Sequence, residues 1–241
     1  MREPHLGRSK ARPYLHGRLH AATLGLALVL AGGSTAQTVT ELPSGSGSVK
    51  ARSHPVSPVP GWIRFCKQRP DECAANPAEP ATITLTSQTW KTLVRINRQV
   101  NSAIKAMTDM EHWGMEDQWG LAEDGLGDCE DYQLIKRRRL VAAGFPRRAL
   151  RMTVVVDEGG EAHAVLMVRS DRGDFILDNK RDAVLPWRQT GYIYLQSEGS
   201  SGSAWVSLGG AYVPPVTTTS APTPRKGRHA SASNRQVPGS P

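Results

Sequence analysis

Between Arg151 and Asp178 the chain alternates twice between extended stretch and tight turn. Arg151 to Asp157 carries Met152, Val154 and Val156 at alternate positions and reads as a strand. Glu158-Gly159-Gly160 is a turn, and Ala162 to Arg169 is a second strand. Ser170-Asp171-Arg172-Gly173 is another turn, and Asp174 to Asp178 a third strand. Connections this short join antiparallel neighbours, because a parallel pair needs a long crossover. Tyr192 to Gln196 and Ala204 to Leu208 read as further strands. Helical patterns precede all of this. Ser87 can cap a helix to about Met107, with Trp90, Leu93, Val94, Ile96, Val100, Ile104 and Met107 on its apolar face. A second helix runs from about Cys129 to Ala143 and stops at Gly144, with Pro146 just beyond. Helices first and an antiparallel sheet second make an α+β fold.

The ends read differently. Residues 1–36 hold a basic stretch (Arg2, Arg8, Lys10, Arg12, Arg18), an apolar run from Ala21 to Ala31 and the small residues Ser34 and Ala36. That is the pattern of a secretory signal peptide, with an apolar run too short to span a bilayer comfortably. Residues 37–60 are rich in Ser, Gly and Pro and read as a flexible linker. The folded domain is expected over 61–212, opening with Gly61-Trp62-Ile63-Arg64-Phe65-Cys66. Residues 213–241 form a basic Pro-, Ser- and Thr-rich tail expected to be disordered. The net charge is +8, yet residues 61–213 hold 19 Lys/Arg against 20 Asp/Glu. The basicity lies in the ends, so nucleic acid is not an expected partner, because a binding face belongs on the folded surface. The mature chain is expected outside the cytoplasm, in the periplasm or secreted, and not integral to a membrane.

The chain has three cysteines. Six residues separate Cys66 from Cys73, a feasible loop for a disulfide in an exported protein. Cys129 is the odd one. It sits in Gly127-Asp128-Cys129-Glu130-Asp131-Tyr132, at the first turn of a helix. Unpaired N–H groups and the positive end of the helix dipole favour a thiolate there. Adjacent carboxylates oppose this unless a cation or a protonated histidine neutralises them. From Asp109 to Asp131 there are nine carboxylates and no Lys or Arg. Such hard oxygen donors suit Ca²⁺.

A cysteine nucleophile needs a base, and the base needs an orienting group. Five of the seven histidines belong to the signal, linker or tail; His112 and His163 remain. His163 begins a strand. If the following turn centres on Ser170-Asp171, His163 lies opposite Asp178. If it centres on Asp171-Arg172, Val165 does, and His163 is the diagonal neighbour. In both registers His163 and Asp178 share a face, so a carboxylate can hold the imidazole.

These residues carry a resemblance. Gly-Asp-Cys-Glu-Asp-Tyr at 127–132, His-Ala-Val-Leu at 163–166 and Leu-Asp-Asn at 177–179 resemble the bacterial transglutaminase-like cysteine proteinases, whose best known branch is the periplasmic LapG type. Val100-Asn101, His112-Trp113-Gly114 and Asp117-Gln118-Trp119 match as well. The resemblance implies a papain-like, transglutaminase-type core with the helical part packed on the sheet. It implies a Cys129-His163-Asp178 triad that cleaves a protein substrate. It also implies Ca²⁺ held by Asp128, Glu130 and Asp131. By analogy with transglutaminases, Trp119 would wall the cleft or shape the oxyanion site. LapG-type enzymes cut cell-surface adhesins under an inner-membrane receptor, so a surface or periplasmic substrate and a membrane regulator are the implied partners. Two other readings share the residues: an acyl transferase or amidase using the same thioester, and a non-enzymatic domain that binds peptide in the same cleft.

Overall fold

The computed structural model describes residues 41–52, 55–201 and 204–212. The signal sequence expected at 1–36 and the tail expected from 213 lie outside these residues. The helices are α1 (Pro60–Gln68), α2 (Pro70–Cys73), α3 (Ser87–Ala103), α4 (Asp109–Trp113) and α5 (Cys129–Ala142). The strands are β1 (Gly45–Gly47), β2 (Pro55–Val56), β3 (Lys105–Ala106), β4 (Leu126–Gly127), β5 (Leu150–Val156), β6 (Ala162–Ser170), β7 (Gly173–Leu177), β8 (Leu185–Pro186), β9 (Ile193–Glu198) and β10 (Trp205–Tyr212).

The expected meander forms the centre of one large sheet in the order β1-β7-β6-β5-β9-β10-β2, with β8 added to β7. Its pairs are antiparallel, apart from β1, which runs parallel to β7. The fold is α+β, and the alternation of side chains divides its core in two. Met152, Leu166, Val168, Phe175 and Leu177 face the helices, packing with Leu93, Ile96 and Val100 of α3 and Leu134 and Leu140 of α5. Val155, Val165, Met167 and Ile176 face the other side, covered by Val49, Trp187, Tyr192 and Tyr194.

Two boundaries differ from the sequence expectation. α3 is capped by Thr86, whose side chain accepts from Thr89 N–H, and it ends at Ala103 rather than Met107. Beyond it the backbone finds another partner. Lys105 N–H donates to Gly125 (2.9 Å) and Met107 N–H to Gly127 (3.0 Å), which makes β3 and β4 a short parallel pair. The described part of the expected 37–60 linker is also structured. β1 lies on β7, β2 on β10, and Val49 is buried with its N–H on Asp174 Oδ2 (2.7 Å). Short, Gly- and Pro-rich edge strands carry little alternation to announce them. No helix among the described residues is long and apolar enough to cross a membrane.

Candidate active site

The β6–β7 register runs from Ser170↔Gly173 to Leu166↔Leu177, so the turn centres on Asp171-Arg172. One more step along this register sets Val165 opposite Asp178 and makes His163 its diagonal neighbour. The imidazole closes that diagonal: His163 Nε2 lies 2.9 Å from Asp178 Oδ1, and both side chains are buried. Asp178 also accepts from Lys180 N–H on Oδ1 (3.0 Å) and from the Tyr192 hydroxyl on Oδ2 (2.6 Å). The Tyr192 ring stands edge-on to the imidazole at 5.9 Å between centroids. Burial alone would raise the Asp178 pKa, but the bonds from His163, Tyr192 and Lys180 reverse this and hold it at about 2. With Nε2 committed to Asp178, Nδ1 is the imidazole nitrogen left for a substrate or nucleophile.

Cys129 is the first residue of α5 and the one free cysteine among the described residues; Cys66 and Cys73 form a disulfide. The β3–β4 pair fixes the approach of the chain to this point, and α5 packs across β6. Ala164 N–H donates to Cys129 Sγ at 3.4 Å, which places the sulfur beside the residue that follows His163. The thiol in turn lies 3.1 Å from Glu130 Oε2. Its pKa is pushed up, by burial first and by the Glu130 charge second, against the pull of Ala164 N–H. The helix start therefore does not by itself produce the thiolate that its position suggested. Burial, and after it the surrounding carboxylates, outweigh it, so a positive charge has to come from elsewhere.

Those carboxylates form two overlapping groups. Ligand atoms of Asp109, Asp128 and Asp131 lie within 4.8 Å of one another, as do those of Asp128, Cys129 and Glu130. Asp128 belongs to both, and its Oδ1 is buried with no hydrogen-bond partner. Gln118 N–H donates to Asp109, Asp109 N–H to Asp128 Oδ2 (3.2 Å), and Gly120 N–H to Asp131 Oδ1 (2.6 Å). Burial followed by the neighbouring charges raises Glu130 well above the carboxylate range. Burial first, then Asp128 and Asp109, takes Asp131 to about 7 in spite of the Gly120 bond. Gly127 is required here, because a Cβ would come within 2.5 Å of Asp131 Oδ2. Clustered carboxylates with an orphaned buried oxygen fit a hard divalent cation. Asp109 is an addition to the expected set; it lay in the acidic run, nineteen residues before Asp128, with no local signal to single it out.

The Trp119 indole N–H donates to Asp117 Oδ1 (2.9 Å), and its ring packs edge-on against Trp62. Trp119 lines a cavity of about 450 Å³ together with His112, Trp113, Met115 and Asp131; Cys129 is not part of that lining. His112 pairs with Asp124 (2.8 Å) and stacks on Trp113, so it is not the partner of the thiol. Tyr192, like Asp109, is not singled out by the sequence, since its segment reads only as strand.

The sequence model of the bacterial transglutaminase-like cysteine proteinases, BTLCP, matches residues 51–212. The chain belongs to that family. No curated protein matches the chain. Among solved structures, calcium-bound Legionella pneumophila LapG is similar at 26% identity and a TM-score of 0.44, with 54% of this chain and 74% of LapG covered. An EGTA-treated form of the same protein gives 25% identity, a TM-score of 0.44 and 55% and 74% coverage. The BTLCP match takes in α1–α5 and the sheet from β2 to β10, and so contains every site residue described above. Family membership makes this a transglutaminase-like cysteine peptidase, and a peptidase acts on protein.

Proposed function

We propose that the chain is an exported, calcium-supported cysteine endopeptidase whose triad is Cys129, His163 and Asp178. The observation that carries this is the His163–Asp178 bond of 2.9 Å on the strand whose next N–H meets the Cys129 sulfur. In this reading His163 takes the thiol proton at Nδ1, and the resulting imidazolium stays paired with Asp178. The thiolate forms a C–S bond to a peptide carbonyl carbon, and the oxyanion is met by N–H groups at the start of α5, which lack intrahelical acceptors. His163 returns the proton to the leaving amine as the C–N bond breaks. Water, deprotonated by His163, then cleaves the thioester and frees the acid.

Asp128, Glu130, Asp131 and Asp109 are the residues we assign to hold Ca²⁺. The ion supplies the positive charge that this buried cluster lacks, which favours ionised carboxylates and a thiolate beside them. Export is supported by the Cys66–Cys73 disulfide, since such bonds persist in oxidising compartments. A periplasmic or cell-surface protein is then the substrate class, with an inner-membrane protein as its regulator.

The test is cleavage of an unfolded protein mixture by the wild type and by Cys129→Ala, with new termini mapped by mass spectrometry. New N-termini that appear only with the wild type support the endopeptidase. Repeating the incubation with an added primary amine separates hydrolysis from transfer: acids mark a peptidase, amides an acyl transferase. No turnover in either form overturns the enzymatic reading.

A further inference from the structure

Asp117 lies between α4 and β4, and it is one of two residues other than glycine with a positive φ among the described residues, at 61°. A side chain reaches this region only at some cost, so the surroundings have to hold it there. They do so from α1. Gly61 N–H donates to Asp117 Oδ2 (2.5 Å), and Arg64 Nη2 donates to the same oxygen (3.1 Å) and to the Asp117 carbonyl (2.6 Å). The Trp119 indole N–H takes the other oxygen, Oδ1. The approach of α1 is close enough to require glycine at position 61, where a Cβ would come within 2.5 Å of Asp117 Oδ1 and closer still to the Trp119 ring.

From this turn the next backbone donors run to the carboxylate cluster. Gln118 N–H donates to Asp109 Oδ2, and Gly120 N–H donates to Asp131 Oδ1 (2.6 Å). Asp109 is the first residue of α4 and Asp131 lies in the first turn of α5. Segment 117–120 therefore ties two carboxylates, on two different helices, to a third helix. Asp117 is not one of the clustered carboxylates, and each of its oxygens already has a donor. It supports the cluster from outside.

We propose that Asp117 is a positioning residue for the calcium cluster: clamped by Gly61, Arg64 and Trp119, it sets the backbone turn from which Gln118 and Gly120 hold Asp109 and Asp131 in place for the ion. Carboxylates this close repel one another, and a backbone N–H bond to each offsets part of that repulsion before a cation arrives. Without the clamp, the ligands themselves remain, but binding has to supply the ordering of Asp109 and Asp131, so affinity falls. Partners that orient a metal ligand from outside are commonly worth roughly 10–100-fold in metal affinity. A plain folding role makes a different demand, since it would lower stability and leave the affinity of the folded protein unchanged.

This inference rests on the calcium reading of the cluster, and the experiment keeps the two apart. Ca²⁺ binding to the full chain is measured by calorimetry for the wild type, Asp117→Asn, Asp117→Gly and Gly61→Ala, with melting temperatures in EDTA in parallel. Asn and Gly both accept a positive φ, so these two variants report the lost acceptors and not the backbone conformation. Asp117→Gly should bind Ca²⁺ about tenfold more weakly than the wild type. Asp117→Asn, which keeps one acceptor oxygen, should fall between, with a melting temperature in EDTA close to that of the wild type. Gly61→Ala leaves Asp117 itself intact and favours the helix, yet it should also weaken binding, because the new methyl displaces the Asp117 and Trp119 side chains. Wild-type affinity in Asp117→Asn and Gly61→Ala overturns the proposal, whatever the melting temperatures and whether or not Asp117→Gly folds. If the wild type itself binds no Ca²⁺, the calcium reading fails first and the proposal falls with it.

Discussion

The Tyr192 hydroxyl donates to Asp178 Oδ2 at 2.6 Å, on the carboxylate oxygen opposite the one that meets His163. Asp178 is thereby held at both oxygens, and its plane is fixed relative to the imidazole. Tyr192→Phe removes one charge-assisted bond and nothing of the ring. A loss of about tenfold in kcat is expected, with KM little changed. Asp178→Asn disturbs the tautomer as well as the charge, and a loss of about 10²–10⁴-fold is expected. Steady-state turnover of a peptide found in the terminus-mapping experiment measures both.

Stability should depend on Asp178 in a defined pH window. Its native pKa is about 2, below the usual unfolded value of about 3.9. A group depressed on folding stabilises above its unfolded pKa, and that contribution disappears as pH falls through the native one. Urea unfolding of the wild type and Asp178→Asn should therefore differ most near pH 5–6. The gap should close between about pH 5 and pH 2.

The three central strands and the turns between them were legible because period-two alternation and turn residues are local signals. So was the His163–Asp178 pairing, since both candidate registers put the two on one face. Three features were not. Asp109 reaches the carboxylate cluster only because β3 and β4 fold the chain back on itself. Tyr192 meets Asp178 across the fold, a contact that reading its segment as strand does not give. The high thiol pKa depends first on how deeply the thiol itself is buried and then on the Glu130 charge beside it, both properties of packing. The helix start still favours a thiolate at Cys129, but burial of the sulfur opposes it with a larger effect.

Far from the thiol, α5 is anchored by a buried ion cluster. Glu198 pairs with Arg137 (3.1 Å) and Arg147 (2.7 Å) and accepts from Met152 N–H (2.9 Å), with no exposed surface. Glu198→Ala leaves two guanidinium groups buried without their counter-charge. A loss of about 3–5 kcal/mol is expected in denaturant unfolding. Because Arg137 sits on α5 with Cys129, Cys129 reactivity should also decline.

The Cys66–Cys73 disulfide joins α1 to α2, and the Glu72 carbonyl beside it accepts from Arg137 Nη2 (2.9 Å) and Arg147 Nε (3.3 Å). Closing so short a loop stabilises by about 2–3 kcal/mol on the chain-entropy account. The Cys66→Ser/Cys73→Ser double variant should melt lower than the wild type by a matching amount, and reductant should lower the wild type alone.

The most direct measurement is the alkylation rate of Cys129 across pH, in Ca²⁺ and after chelation, with intact mass reporting the site. With Ca²⁺, Cys129 should label rapidly below pH 7. After chelation the unneutralised carboxylates should hold the thiol protonated, and labelling should begin only above the ordinary thiol range of about 8.5. Slow labelling below that pH in both conditions, or the same fast rate in both, would contradict a calcium-supported Cys129 nucleophile.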